Sequence, residues 1–405
     1  MADADPAPGQ DDLRAELQRL SARLDELETR GGVLHDVRRY GAVGDGVTDD
    51  TDAIQAASRA AGSHGIVLFG RGRFLLTRTV VVPPDQQWQG VGIADTSTDS
   101  DPVPNTLLTR VSDGPAIDAR YNTTFKQLRI EGSGSGTGMV VHGRVVLEHV
   151  SLQRFDLALE CLDLWYGHFT GLRLYRNRVG VRVERAYNLT LIAPRINCVD
   201  PDDRAGIGLS LADNVDVKIF GGAIEAYSVG IKAAHHDSIH LHSVYFESNP
   251  PHPELDPVRG AVGVQLSGTR SSTVTALGCY VYLTNQRVWI DADGAATTAS
   301  IVALGNTFKG GNPPRSGLHQ LAYRWADGSG VRATISGDQW NQVEYKGNAS
   351  YLAPGTSEPG GSTVVPPPLT RSMGSRAVEA GRRVRERLRP LRSRTLRTLR
   401  RLVSR

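Results

Sequence analysis

The feature that most constrains the fold is a recurrence of short β-patterned runs along one chain. IVLF (66–69), VVLEHVSL (145–152), HFTGLRLY (168–175), NLTLIA (188–193), VDVKIFGG (215–222) and SIHLHSVYF (238–246) follow one another, and helical periodicity is nearly absent after residue 62. A glycine-led phrase recurs at Gly138, Gly180, Gly206, Gly230 and Gly263; its two central intervals, 26 and 24 residues, match one coil of a β-solenoid. Aligning the apolar ends of the runs gives a column: Leu152-Gln153, Leu174-Tyr175, Ile196-Asn197, Ile224-Glu225, Phe246-Glu247, Tyr280-Val281, Phe308-Lys309 and Trp340-Asn341. By the two-residue period of a strand, the first residue of each pair points inward and the second outward. The pattern predicts an all-β chain of parallel coils. Two polar insertions, CVDPDDRAG (198–206) and NPPHPELDPVRG (249–260), are expected to emerge as loops on one side.

The flanks read differently. Leu13, Leu17, Leu20, Leu24 and Leu27 are spaced 4, 3, 4, 3 among polar residues, the pattern of a short coiled coil. Residues 1–34 are therefore read as an acidic start and an oligomerisation stalk. Residues 11–30 would make a homo-oligomer, a trimer being one option, since leucine at both core positions does not fix strand number. Residues 35–350 form the β-helix body, and 351–370, rich in Pro, Gly, Ser and Thr, a linker. Residues 371–405 carry 13 arginines and two glutamates, a basic amphipathic tail suited to an anionic surface or polyanion.

Charge supports this division. The chain has 46 Lys+Arg against 43 Asp+Glu, net +3. The tail alone contributes +11, which leaves −8 before it and only −3 on residues 35–350. The body is thus no strong polyanion binder, and an acidic substrate would need a local arginine-lined groove, with Arg176 and Arg195 as candidates. Cys161, Cys198 and Cys279 lie far apart without a CxxC pair, as buried structural thiols do. The start lacks the features of a signal peptide, and no run of 18 apolar residues occurs. The expected location is the cytoplasm, or outside the cell by a leaderless or phage-like route.

Residues 36–57, DVRRYGAVGDGVTDDTDAIQAA, closely resemble the opening signature of the pectate lyase superfamily, or glycoside hydrolase family 28-related, β-helix domain. The match continues through Gly65-Ile66-Val67-Leu68-Phe69, Gly72-Arg73-Phe74-Leu75-Leu76 and Trp88-Gln89-Gly90-Val91-Gly92. The resemblance implies a single-stranded right-handed parallel β-helix with an N-terminal capping helix. It also implies kinship with pectinolytic enzymes and tailspike-type glycan depolymerases. The signature itself reads as architecture: Gly44 and Gly46 permit a tight turn, Thr48 or Asp49 caps the helix that follows, and Asp45, Asp49 and Asp50 serve that turn. The catalytic set of true polygalacturonases is not present in order.

The candidate site comes from the column. Glu225 and Glu247 fall outward on successive rungs, at the ~4.8 Å strand spacing. Two carboxylates so placed repel, and one is expected to keep its proton near neutrality, as glycosidic cleavage requires. Tyr175, Arg176, Arg195, Asn197 and Tyr245 are candidate substrate contacts, and Trp165 and Tyr166 offer further stacking surface. A second cluster joins Asp213 and Asp216 to His235, His236 and Asp237, one coil apart by the repeat of Val215 as Ile239. It is a candidate for acid/base catalysis or, through Asp213, Asp216 and Asp237, for a metal ion; no cofactor is expected, with Ca²⁺ an option only if the chemistry is that of a lyase. The bland reading is that Asp and Asn in β-helix turns bond local backbone. His149 and His168 read as turn and face residues. Two functions stand: a polysaccharide-degrading enzyme, hydrolase or lyase, or a non-catalytic, tailspike-like glycan-binding module.

Overall fold

The computed structural model describes residues 16–20, 23, 34–92, 106–109, 111, 114–197, 206–235, 237–247, 261–267, 271–282, 286–292, 299–309, 320–325, 330–341, 349–352 and 363–364. Most of residues 11–30, the insertions at 198–205 and 249–260, and the whole of 371–405 lie outside them. The stalk and tail expectations fall there.

Each coil has three sides. In one coil the chain runs through Arg173–Tyr175, Val179–Glu184 and Leu189–Ile192, and the next coil begins at Arg195–Asn197. Among the described residues the short first strands of successive coils stack into one sheet of 12 strands, and the other two sides into a continuous sheet of 22. The two longer sides fuse where Thr137–Glu148 and Leu157–Thr170 run through the corner without a break. Pairing from rung to rung is parallel throughout the column. This is the expected parallel β-helix, and no helix follows residue 62 among the described residues.

The column stands in register. Ile130, Leu152, Leu174, Ile196, Ile224, Phe246 and Phe308 are buried on successive rungs, each contributing on the order of 2 kcal/mol by its burial. One rung differs from the sequence reading. Val281, not Tyr280, pairs with Phe246 and Phe308; Tyr280 lies on the outside, stacked on Tyr245 with ring centroids 5.6 Å apart. The interior at that height is already filled by Trp289 against Phe246, Phe308 and Tyr323. A valine fits there where a tyrosine would overpack the core.

The glycine phrase is also corrected. Val181, Leu209, Ile231 and Val264 are register partners, so Gly208 rather than Gly206 stacks with Gly180, Gly230 and Gly263. A Cβ at Gly180, Gly208 or Gly230 would stand 2.4–2.6 Å from the carbonyl oxygen of the next glycine. The close stacking of backbone is what demands glycine.

Helix Thr51–Ala61 covers the first coil, burying Ile54 and Ala57. Ser58 donates to Gln86 Oε1, which also accepts from Trp88 Nε1. Asp45 accepts the N–H groups of Val47 and Thr48 beyond the positive-φ Gly44 and Gly46. Thr48 is thereby occupied, and Asp49 accepts the first helical N–H, that of Thr51, at 3.0 Å. Asp50, at the N-cap position, makes no cap hydrogen bond. It reaches back to the N–H groups of Val43 and Gly44. All three carboxylates serve architecture, as read from the signature.

Candidate functional site

The outer face of the 12-stranded sheet presents two ladders. One runs Glu131, Gln153, Tyr175, Asn197, Glu225, Glu247, Tyr282, Lys309. The other runs Arg173, Arg195, Ala223, Tyr245, Tyr280 on the same strands. Tyr175, Asn197, Glu225 and Glu247 thus occupy four consecutive rungs, and Arg195 and Tyr245 flank them on the neighbouring ladder. Ala223 stands between these two long side chains and leaves a notch beside Glu225.

Each carboxylate of the pair has its own donor. Asn197 Nδ2 donates to Glu225 Oε2 at 2.7 Å, and the Tyr245 hydroxyl donates to Glu247 Oε2 at 2.6 Å. Burial and the Glu247 carboxylate push the Tyr245 hydroxyl well above its ordinary pKa, so it stays protonated and keeps its hydrogen bond to Glu247. Both glutamates are half-buried. A shallow, solvent-open hollow lined by Ile224, Tyr227, Phe246, Glu247 and Val262 adjoins Glu247. Arg176, in a left-handed turn (φ 55°), lays its guanidinium over the Tyr175 ring at 5.5 Å. It therefore borders the same face two rungs before Glu225. Arg195–Asn197 and Tyr245–Glu247 run directly into the insertions that lie outside the described residues.

The second cluster does not converge. Val217, not Val215, is the register partner of Ile239. Asp237 is buried, and its Oδ1 accepts both the backbone N–H and the side-chain amide of Asn214. Asn214 in turn accepts the N–H of Ala186 on the preceding coil. Asn306 and Asp338 repeat the arrangement further along. Asp216 faces the other way, hydrogen-bonded by Lys218 with His240 at 3.7 Å. Asp213 is exposed in a left-handed turn, His235 is exposed at its own corner, and His236 lies outside the described residues. Among the described residues no three His, Cys, Asp or Glu side chains are grouped to hold a metal ion. Asp237, the third member of the metal alternative with Asp213 and Asp216, turns its carboxylate to Asn214 and the His235 N–H. His149 sits in an exposed turn and His168 on a sheet face, as expected.

The sequence reading missed the notch and the Tyr280 stack. Ala223, two residues before Glu225, was the available signal: same face, next ladder, no bulk.

Comparison with known proteins bears on the frame rather than on these side chains. Residues 34–103 match the family model described as rhamnogalacturonase A/epimerase, pectate lyase-like. A glucan 1,3-beta-glucosidase of Cochliobolus carbonum is 31% identical over 112 residues, 26% of this chain but only 14% of that protein. ORF18 of Geobacillus virus E2 superposes with a TM-score of 0.51 at 15% identity, over 83% of this chain and 64% of that one. PfbA, a surface adhesin of Streptococcus pneumoniae, does so with 0.52 at 12% identity, over 79% and 93%. Among the described residues no helix is long and apolar enough to cross a membrane. The signature at residues 34–103 is thus similar to a pectate lyase-like family, and the coils stacked behind it make this chain a parallel β-helix protein.

Proposed function

We propose that this protein acts on a polysaccharide laid along the outer face of the short-strand sheet, cleaving glycosidic bonds with Glu225 and Glu247. The observation that carries the reading is their placement as register partners on the open face, each held by a neutral donor, beside the Ala223 notch. Side chains one rung apart stand roughly 5 Å from each other, the separation at which one carboxyl protonates the leaving oxygen while the other attacks the anomeric carbon or stabilises its charge. Asn197 and Tyr245 fix the two groups in rotation. Arg195 and Arg176 offer cations where a substrate bears carboxylates. Resemblance to a glucosidase over one stretch supports the substrate class, not the particular sugar.

The test is incubation of wild type, Glu225→Gln and Glu247→Gln proteins with a panel of neutral and acidic glycans. Wild type is expected to release oligosaccharides, and each variant to lose on the order of 10³-fold in rate while still binding the glycan. Absence of cleavage by wild type on every glycan overturns the enzyme reading and leaves a non-catalytic glycan-binding module. Product absorbance from an unsaturated uronate would mark lyase chemistry, and its loss on chelation a need for Ca²⁺.

A further inference from the structure

The corner joining the two longer sides of each coil lies opposite the short-strand face and carries a row of exposed rings. Trp165 is 58% exposed, Tyr187 54%, Tyr166 43% and Tyr121 42%, with Val215 at 60% continuing the row. Successive rungs are tied there by Tyr187 N–H to Leu164 O at 2.7 Å and Val215 N–H to Ala186 O at 2.8 Å. Trp165 and Tyr187 stack with centroids 5.0 Å apart and planes within 16°.

The strand containing Trp165 is bulged to produce this. Against the preceding coil, His142 pairs with Leu162, Gly143 with Leu164 and Arg144 with Tyr166, so Asp163 and Trp165 are extra residues pushed outward. The rung that lacks a ring of its own has Gly143, and a Cβ there would fall 2.1 Å from the ring of Tyr121. The Tyr121 ring therefore lies across that rung, and the ridge continues without a gap from Tyr121 to Val215. Soluble proteins seldom leave aligned rings on a bulge without a ligand for them.

Beside the ridge runs a charged column, Asp163, Arg185 and Asp213, each in a left-handed turn. Arg185 donates to both oxygens of Asp163, at 2.6 and 3.2 Å, and has Glu184 at 3.6 Å. We infer that this ridge is a second polysaccharide-binding site, taking an uncharged glycan chain whose ring faces lie on Tyr121, Trp165 and Tyr187 and whose hydroxyls meet the Asp163–Arg185 column. A sugar ring has an apolar face and a hydroxyl-bearing edge, and the corner offers one surface for each. A nucleic acid would also stack, but its phosphates would meet Asp163, Glu184 and Asp213. A protein partner needs a broad apolar patch of roughly 800 Å², whereas this ridge is one side chain wide and bordered by ion pairs. The site stands apart from the Glu225/Glu247 reading, since it lies on the opposite corner and needs no catalysis.

The experiment uses the full chain carrying Glu225→Gln and Glu247→Gln, so that no glycan is consumed, and measures retardation in native gels containing laminarin, hydroxyethylcellulose or polygalacturonate. Retardation by an uncharged glycan is expected, weakened about tenfold by Trp165→Ala or Tyr187→Ala and kept by Trp165→Phe. Unchanged retardation in the alanine variants, together with its loss in Ala223→Tyr, would place all glycan binding at the glutamate face and overturn the ridge. No retardation by either uncharged glycan would overturn it too. So would binding of oligo-dT, or a concentration-dependent rise in sedimenting mass that Trp165→Ala abolishes.

Discussion

Two sets of carboxylates, Glu225 with Glu247 and Asp213 and Asp216 with Asp237, span adjacent coils of the same solenoid, yet only the first projects together from one strand face. The glutamates sit within three-residue strands, where the two-residue period sends alternate side chains out. The aspartates sit at or beside a corner, where the backbone turns and N–H groups such as those of Ala186 and Asn214 are met by a side chain rather than by the backbone of the next rung. There a short Asp or Asn side chain is drawn inward to satisfy them. Asp237 and Asn214 do so between coils, and Asn177 does so toward Phe155 N–H and Leu152 O. In a β-helix, then, register brings carboxylates together, but the position along the coil decides whether they face substrate or backbone.

The largest expected effect breaks this comparison if it fails. Asp237→Ala removes the acceptor for two buried donors of Asn214 and should cost about 3 kcal/mol, read as a lowered midpoint of urea unfolding. An unchanged midpoint would mean that the corner does not depend on Asp237, and would return the cluster to candidacy as a site. A smaller effect sharpens the other half. Ala223→Tyr fills the notch between Arg195 and Tyr245 on an outward face, so the unfolding midpoint should hold while kcat/KM for glycan cleavage falls at least about tenfold. Undiminished cleavage would move the substrate off this face.

The same contrast explains what the sequence could convey. Strand direction follows from alternation, so the ladder from Gln153 to Glu247 was legible, as was the turn and helix at residues 44–61. The slip at Tyr280 came from assigning the bulkier residue to the interior. Only the tertiary fact that Trp289, Phe308 and Tyr323 already fill that level reverses the choice, and a one-residue shift flips every face. The inward Asn and Asp at the corners were not legible as a ladder, because their spacing follows coil length, which varies with each insertion. Two of the three thiols were legible: Cys161 and Cys279 are buried, burial pushing the Cys279 thiol up to about 11, and Cys198 lies outside the described residues.

The smallest effect concerns a carboxylate of the architectural kind outside the corners. The N–H groups of Thr48 and Val47, with the Thr48 hydroxyl, hold the Asp45 carboxyl below its ordinary value of 3.8. A folded-state pKa lower than the unfolded one means that the unfolded chain binds the proton first. The stabilisation from Asp45 is therefore fully present above pH 3.8 and is lost as pH falls through that value toward the folded pKa. Because Asp45 is exposed, solvent screens the effect and a modest shift is expected. Asp45→Asn should lower the melting temperature slightly at pH 7, and the gap from wild type should close as pH falls below about 4. A gap that persists unchanged at pH 3 would show that Asp45 acts through its shape in the turn after Gly44 rather than through its charge. It would then separate this turn from the corners, where the acceptor itself holds neighbouring coils together.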